Sequence, residues 1–120
     1  MHALVIEDDA ITAMLLEDEL RDMGFHSVDV ASTEQEAMEA VGRRCPDLVT
    51  SDGSLLAGTG VGAVRQIRAT LAVPVIFITG DPERARHCFP DVPVVEKPFS
   101  LNQLVAAVRQ VRPVGHSCCR

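Results

Sequence analysis

The chain has 120 residues, 47 % of them hydrophobic, and a formal net charge of -6 at pH 7. That is the length of one domain, with enough apolar material for a core without a structural metal, and its acidity argues against direct nucleic-acid binding. There is no apolar run near the ~20 residues of a membrane span and no signal peptide ahead of the first strand, and Cys45, Cys88, Cys118 and Cys119 lack CxxC or zinc-type spacing, so a reduced, soluble, cytoplasmic protein with no membrane contact is expected.

Short apolar runs alternate with helical patterns. Ala3-Leu-Val-Ile6 is a strand buried on both faces, ending at Glu7-Asp8-Asp9. A helix follows, with Ile11, Met14, Leu15 and Leu20 as its core positions and a stop at Gly24. Residues 27–31 alternate in polarity and read as a second, more exposed strand. Thr33-x-x-Glu36 is a capping box opening a helix with Ala37, Met38 and Val41, stopped near Gly42. Asp47-Leu-Val-Thr-Ser51 is a third strand, ending at Asp52. Gly53, Gly58, Gly60 and Gly62 suggest a loose loop before a third helix over 61–70. Residues 73–78 form a fourth strand ending at Thr79-Gly80, and only a short helical piece fits 82–87. Pro93-Val-Val95 is a fifth strand ending at Lys97-Pro98. Ser100-x-x-Gln103 caps a last helix through Arg112. Residues 113–120 show no periodicity and read as a flexible C-terminal tail.

This alternation implies a doubly wound α/β fold: a parallel sheet with helices on both faces and ligands at the carboxyl ends of the strands. Those ends carry Glu7, Asp8 and Asp9, then Asp52, Thr79 and Lys97. Crowded carboxylates need a cation, and a hard, oxygen-only set suits Mg²⁺. With Lys97 and the Thr79 hydroxyl, such a site can position and neutralise a transferring phosphoryl group.

Val5-Ile-Glu-Asp-Asp9, Pro46-Asp-Leu-Val-Thr-Ser-Asp52, Ile78-Thr-Gly80 and Glu96-Lys-Pro-Phe99 resemble, in order, the signature blocks of response-regulator receiver domains. The resemblance implies a CheY-like sheet of order 2-1-3-4-5 over residues 1–112. It implies Asp52 as phosphoacceptor and Thr79 and Lys97 as phosphate-contacting groups. Mg²⁺ would be held by Glu7, Asp8, Asp52 and the Ser54 backbone carbonyl. The Lys97-Pro98 bond is often cis in the family. The implied partners are a sensor histidine kinase or histidine phosphotransfer protein and a downstream protein target.

The chain also departs from the family pattern. Val94 replaces the usual aromatic three residues before the lysine, and Leu56 replaces a proline. The segment from Thr79 to Lys97 is short by about one helical turn, so a shortened fourth helix is expected. The stretch Phe77-Ile-Thr-Gly-Asp-Pro-Glu83 resembles receivers of alphaproteobacterial general-stress signalling. Gly80, Asp81 and Val94 are read as modulators, Asp81 acting on phosphoryl lifetime.

On this reading the chain is not an enzyme beyond its own phosphorylation and dephosphorylation. Three alternatives stand beside it. A pseudo-receiver would only bind a partner. A Mg²⁺-dependent phosphatase would want a second acid two residues after Asp52, where Ser54 stands. A flavodoxin-like nucleotide binder would be repelled by the acids after the first strand. Asp9 is read as a helix N-terminal acid favoured by the macrodipole, and His2, His26, His87 and His116 as incidental.

Overall fold

The computed structural model describes residues 1–53 and 59–111. Five strands alternate with five helices: β1 (His2–Ile6), α1 (Ala10–Asp22), β2 (Ser27–Ala31), α2 (Glu34–Arg43), β3 (Leu48–Ser51), α3 (Gly60–Thr70), β4 (Val75–Thr79), α4 (Pro82–Cys88), β5 (Val94–Glu96) and α5 (Leu101–Val111). All pairings are parallel, in the order β2-β1-β3-β4-β5. The direction of winding reverses between β1 and β3, the place where such folds open a crevice.

Because side chains alternate across a strand, β1 feeds both faces of the sheet. Leu4 and Ile6 join one core with Val49, Val64, Ile67 and Phe77, under α2, α3 and α4. Ala3 and Val5 join the other with Leu16, Leu20, Phe25, Ile78 and Leu104, under α1 and α5. This accounts for the unbroken apolar run of β1, which is buried throughout. β2, at the sheet edge, is only partly covered.

Local chemistry sets the helix ends. Asp9 caps α1, its carboxylate accepting from the Thr12 N–H at 3.2 Å. Thr33 and Ser100 cap their helices, and Ser100 and Gln103 close a reciprocal capping box. Gly24, at φ 104°, follows α1 in the left-handed region that a glycine enters without strain. The fourth helix has only 7 residues, the shortening expected from the sequence.

Several expectations need correction. Ile11, Met14 and Leu15 are exposed at 79 %, 63 % and 48 %, whereas Leu20 is buried as expected, together with Ala13 and Leu16. Gly60 and Gly62 are not in a loose loop but in the first turn of α3, capped by Thr59. Cys88 is a free thiol. Ser54, Leu56, Gly58, Arg112, His116, Cys118, Cys119 and the tail lie outside the described residues.

Candidate functional site

The strand ladders continue one residue beyond the strands and fix the backbone of the site. The Glu7 N–H donates to the Ala31 carbonyl at 2.8 Å, and the Asp52 N–H to the Ile6 carbonyl at 2.8 Å. The Lys97 N–H donates to the Thr79 carbonyl at 2.9 Å. Residues far apart in sequence thus leave the sheet at one edge, beside the β1/β3 reversal.

Three of the predicted metal ligands converge. Glu7, Asp8 and Asp52 each offer a carboxylate oxygen, and these oxygens lie within 4.8 Å of one another. Lys97 reaches into the group from the β5 end. Its Nζ donates to Glu7 Oε1 at 2.5 Å and to Asp52 Oδ2 at 3.1 Å. An ion pair with Asp52 was legible in the sequence; the closer pair with Glu7 was not.

Burial sets the electrostatics. Glu7 is almost fully buried, and desolvation pushes its carboxyl up to about 7 against the pull of Lys97 and the Asp9 N–H. For Lys97, burial acts to lower the pKa, but the Glu7 and Asp52 carboxylates outweigh it and hold the ammonium above the ordinary lysine value. Glu7 and Asp52 therefore share the Lys97 ammonium. An all-oxygen set joined by a displaceable cation fits a hard divalent ion that keeps much of its water, as Mg²⁺ does. Glu7, Asp8 and Asp52 would hold it, and when bound it would neutralise charge on a phosphoryl oxygen.

Thr79 is buried at the end of β4. Its hydroxyl oxygen accepts from the Asp81 N–H at 3.0 Å, which leaves its hydrogen available for donation. The same oxygen would lie 3.2 Å from a Cβ placed on Gly53, so glycine after Asp52 lets this hydroxyl sit against the β3 end. Asp81 is exposed and caps α4 through the Arg84 N–H at 3.4 Å, and Gly80 is exposed beside it. Val94 is half-buried and packs against the core next to Phe77. Phe77 stacks on Phe89 at 5.6 Å, placing an aromatic pair under α4 where the family pattern has one ring on β5.

Asp9 takes no part in the metal cluster and serves as the α1 cap, as its sequence context indicated. His2, read as incidental, is buried at the opposite end of β1. It bonds Ser27 Oγ at 2.8 Å and Asp29 Oδ2 at 3.1 Å, clipping β1 to β2. Gly60 was also misjudged. A Cβ there would lie 1.4 Å from the Asp52 carbonyl oxygen, so α3 starts against the backbone of Asp52 only because residue 60 is glycine.

A family model described as the response regulator receiver domain matches residues 3–109. The chain belongs to that family. The receiver is 35 % identical over 111 residues to the phyllosphere-induced regulator PhyR of Methylorubrum extorquens, a match covering 89 % of this chain and 42 % of that protein. It is 33 % identical over 112 residues to the transcriptional regulatory protein PdtaR of Mycobacterium tuberculosis, covering 89 % of this chain and 54 % of that one. The solved PhyR receiver domain of Erythrobacter litoralis matches with a TM-score of 0.84 at 36 % identity, covering 92 % of this chain and 88 % of that one. A structure described as anti-anti-sigma factor PhyR of Bartonella quintana matches at 32 % identity, with a TM-score of 0.82, covering 92 % of this chain and 47 % of that one. The receiver spans about half the length of the curated relatives it matches. These PhyR relatives agree with the resemblance to general-stress receivers. Among the described residues no helix is long and apolar enough to cross a membrane.

Proposed function

We propose that this receiver, over residues 1–112, is a phosphorylatable switch that accepts a phosphoryl group on Asp52 from the phosphohistidine of a sensor kinase or histidine phosphotransfer protein. The carrying observation is the convergence of Glu7, Asp8 and Asp52 around the Lys97 ammonium. An Asp52 carboxylate oxygen attacks phosphorus in line, a P–O bond forms, and the P–N bond breaks with its electron pair left on the imidazole. Lys97 then pairs with a phosphoryl oxygen instead of the bare carboxylate, and the Thr79 hydroxyl donates to another. The family resemblance implies that the backbone carbonyl of Ser54, outside the described residues, would be the remaining protein ligand for Mg²⁺. Gly80 and Asp81, at the phosphoryl-facing edge, tune how long the acyl phosphate lasts. No other substrate is turned over.

The exposed side chain of Leu15, with Pro98 and Phe99 beside Lys97, gives the pocket an apolar border suited to an apolar face of the phosphodonor. The output is protein binding or onward transfer of the phosphate, in the cytoplasm. The PhyR resemblance favours binding, since one such relative is described as an anti-anti-sigma factor.

Amide NMR of the chain with Mg²⁺ and beryllofluoride, an acyl-phosphate mimic, tests this. The expected result is shifts in the residues after β1, β3, β4 and β5, abolished by Asp52→Asn. No response in the wild type would overturn the phosphoacceptor assignment and leave a protein-binding pseudo-receiver.

A further inference from the structure

We propose that the face formed by α3 and α4 around Phe89 is a docking surface for an acidic segment of a partner protein, with a carboxylate of that segment held by Arg65. Its test needs neither Mg²⁺ nor a phosphoryl group.

Charge is divided between the helices. α3 and α4 carry Arg65, Arg68, Arg84 and Arg86 against the single acid Glu83. In contrast, α1 carries four acids against Arg21, and α2 three against Arg43. α3 stands between the two signs: its Gln66 bonds Glu34 of α2, while Arg65 and Arg68 lie over Phe89, next to α4. A protein of net charge -6 thus presents one basic side, and complementarity selects a negative partner for it.

Phe89 organises that side. The half-buried ring stacks on Phe77 at 5.6 Å. The guanidiniums of Arg65 and Arg68 lie over it, 5.7 and 5.4 Å from its centroid. A guanidinium resting on an aromatic face keeps its N–H groups for hydrogen bonds and is already partly fixed in place.

Arg68 demonstrates what such a guanidinium grips. Its Nη1 and Nη2 donate to Asp91 Oδ1 and Oδ2 at 3.3 and 2.5 Å, two bonds to one carboxylate. This pairing holds the Asp91 carboxyl below its ordinary pKa. Arg65 is exposed, sits one turn earlier in α3 and makes the same ring contact. Among the described residues it pairs with no carboxylate. A carboxylate on Arg65 repeats the Arg68–Asp91 arrangement. Arg86, exposed and one turn before Phe89, is also without an acidic partner among the described residues and is available to a further acid. A nucleic acid fits this face less well, because Glu83 and Asp91 stand among the arginines and repel a continuous run of phosphates, whereas spaced acids avoid them.

Amide NMR of the whole chain tests the surface by titration with a blocked decapeptide of alternating glutamate and serine. The comparison probes are its glutamine counterpart and a ten-nucleotide oligothymidylate. The glutamate peptide is expected to shift the amides of Arg65, Arg68, Arg86 and Phe89, and the glutamine peptide to leave them in place. Arg65→Gln should weaken binding about fivefold. Arg65→Lys keeps the charge but not the planar fork and should recover little of it; it also decides the matter if Arg65→Gln does not fold. Arg109→Gln, on α5, loses the same charge elsewhere and should bind as the wild type does. Shifts that avoid α3 and α4, or wild-type affinity in Arg65→Gln or Arg65→Lys, would overturn the carboxylate seat. Tighter binding of the oligothymidylate than of the glutamate peptide at the same amides would overturn the protein partner in favour of a nucleic acid.

Discussion

Lys97 is the residue on which the resting pocket depends. Its ammonium, 23 % exposed, is shared by Glu7 and Asp52, and one of these carboxylates is almost wholly removed from water. Lys97→Met removes the ammonium that both share. The expected cost is about 1–3 kcal/mol of stability without metal, limited because Glu7 already titrates near neutrality and can take up a proton. Mg²⁺ should return part of that stability, since Glu7, Asp8 and Asp52 would hold it without competition from an ammonium. Urea unfolding with and without Mg²⁺ reads both effects. The acids and the lysine were legible in the sequence because each ends an apolar run, and strand ends of a parallel sheet meet at one edge. Gly60 and His2 were not. Their roles come from contacts made across the fold, and nothing in their local sequence marks them.

At the level of elements, α1 shows where periodicity runs out. Ile11, Met14 and Leu15 have helical spacing, but so do Ala13, Leu16 and Leu20, and a helix has only one side toward the sheet. The stripe that begins with the small Ala13 is the one buried. The larger residues face outward, so an apolar helical stripe signals core only when no second stripe competes with it. Leu16→Ala should therefore cost about 2–5 kcal/mol. Leu15→Ala should stay within about 0.5 kcal/mol. Paired thermal or urea unfolding curves distinguish the two. In α3 the glycines misled for another reason: they signal loops in general, but here each removes a Cβ from a close approach that only tertiary structure reveals. The capping signals at Thr33 and Ser100 were read correctly because a cap is a local device and its partners lie within four residues.

Across the whole molecule, chemistry and stability sit at opposite edges of the sheet. The carboxyl ends of the strands carry the acidic pocket. The amino ends carry His2, buried and bonded to Ser27 and Asp29, with its backbone N–H donating to Asp47 at 2.7 Å. Desolvation lowers the His2 pKa below its ordinary 6.5; Arg44 assists and Asp29 opposes. A lowered imidazole pKa means that the folded state prefers the neutral ring. Its contribution is complete above pH 6.5 and is lost as the pH falls below that value. Between pH 7 and 5, wild-type stability should drop more steeply than that of His2→Asn, measured as the difference in unfolding free energy. Taking the difference removes Glu7, whose raised pKa acts in the opposite direction over the same range.

The ladder bonds that run past the strand ends constrain how such a protein can signal. Glu7, Asp52 and Lys97 are each stitched to a neighbouring strand one residue beyond the sheet. Their main chains form a rigid rim, and no member of the rim can shift without dragging its neighbour. If Asp52 takes up a phosphoryl group as proposed, these bonds tie its main chain to that of β1, and the expected response lies in side chains such as Lys97 and Thr79 rather than in a sliding of one strand past another.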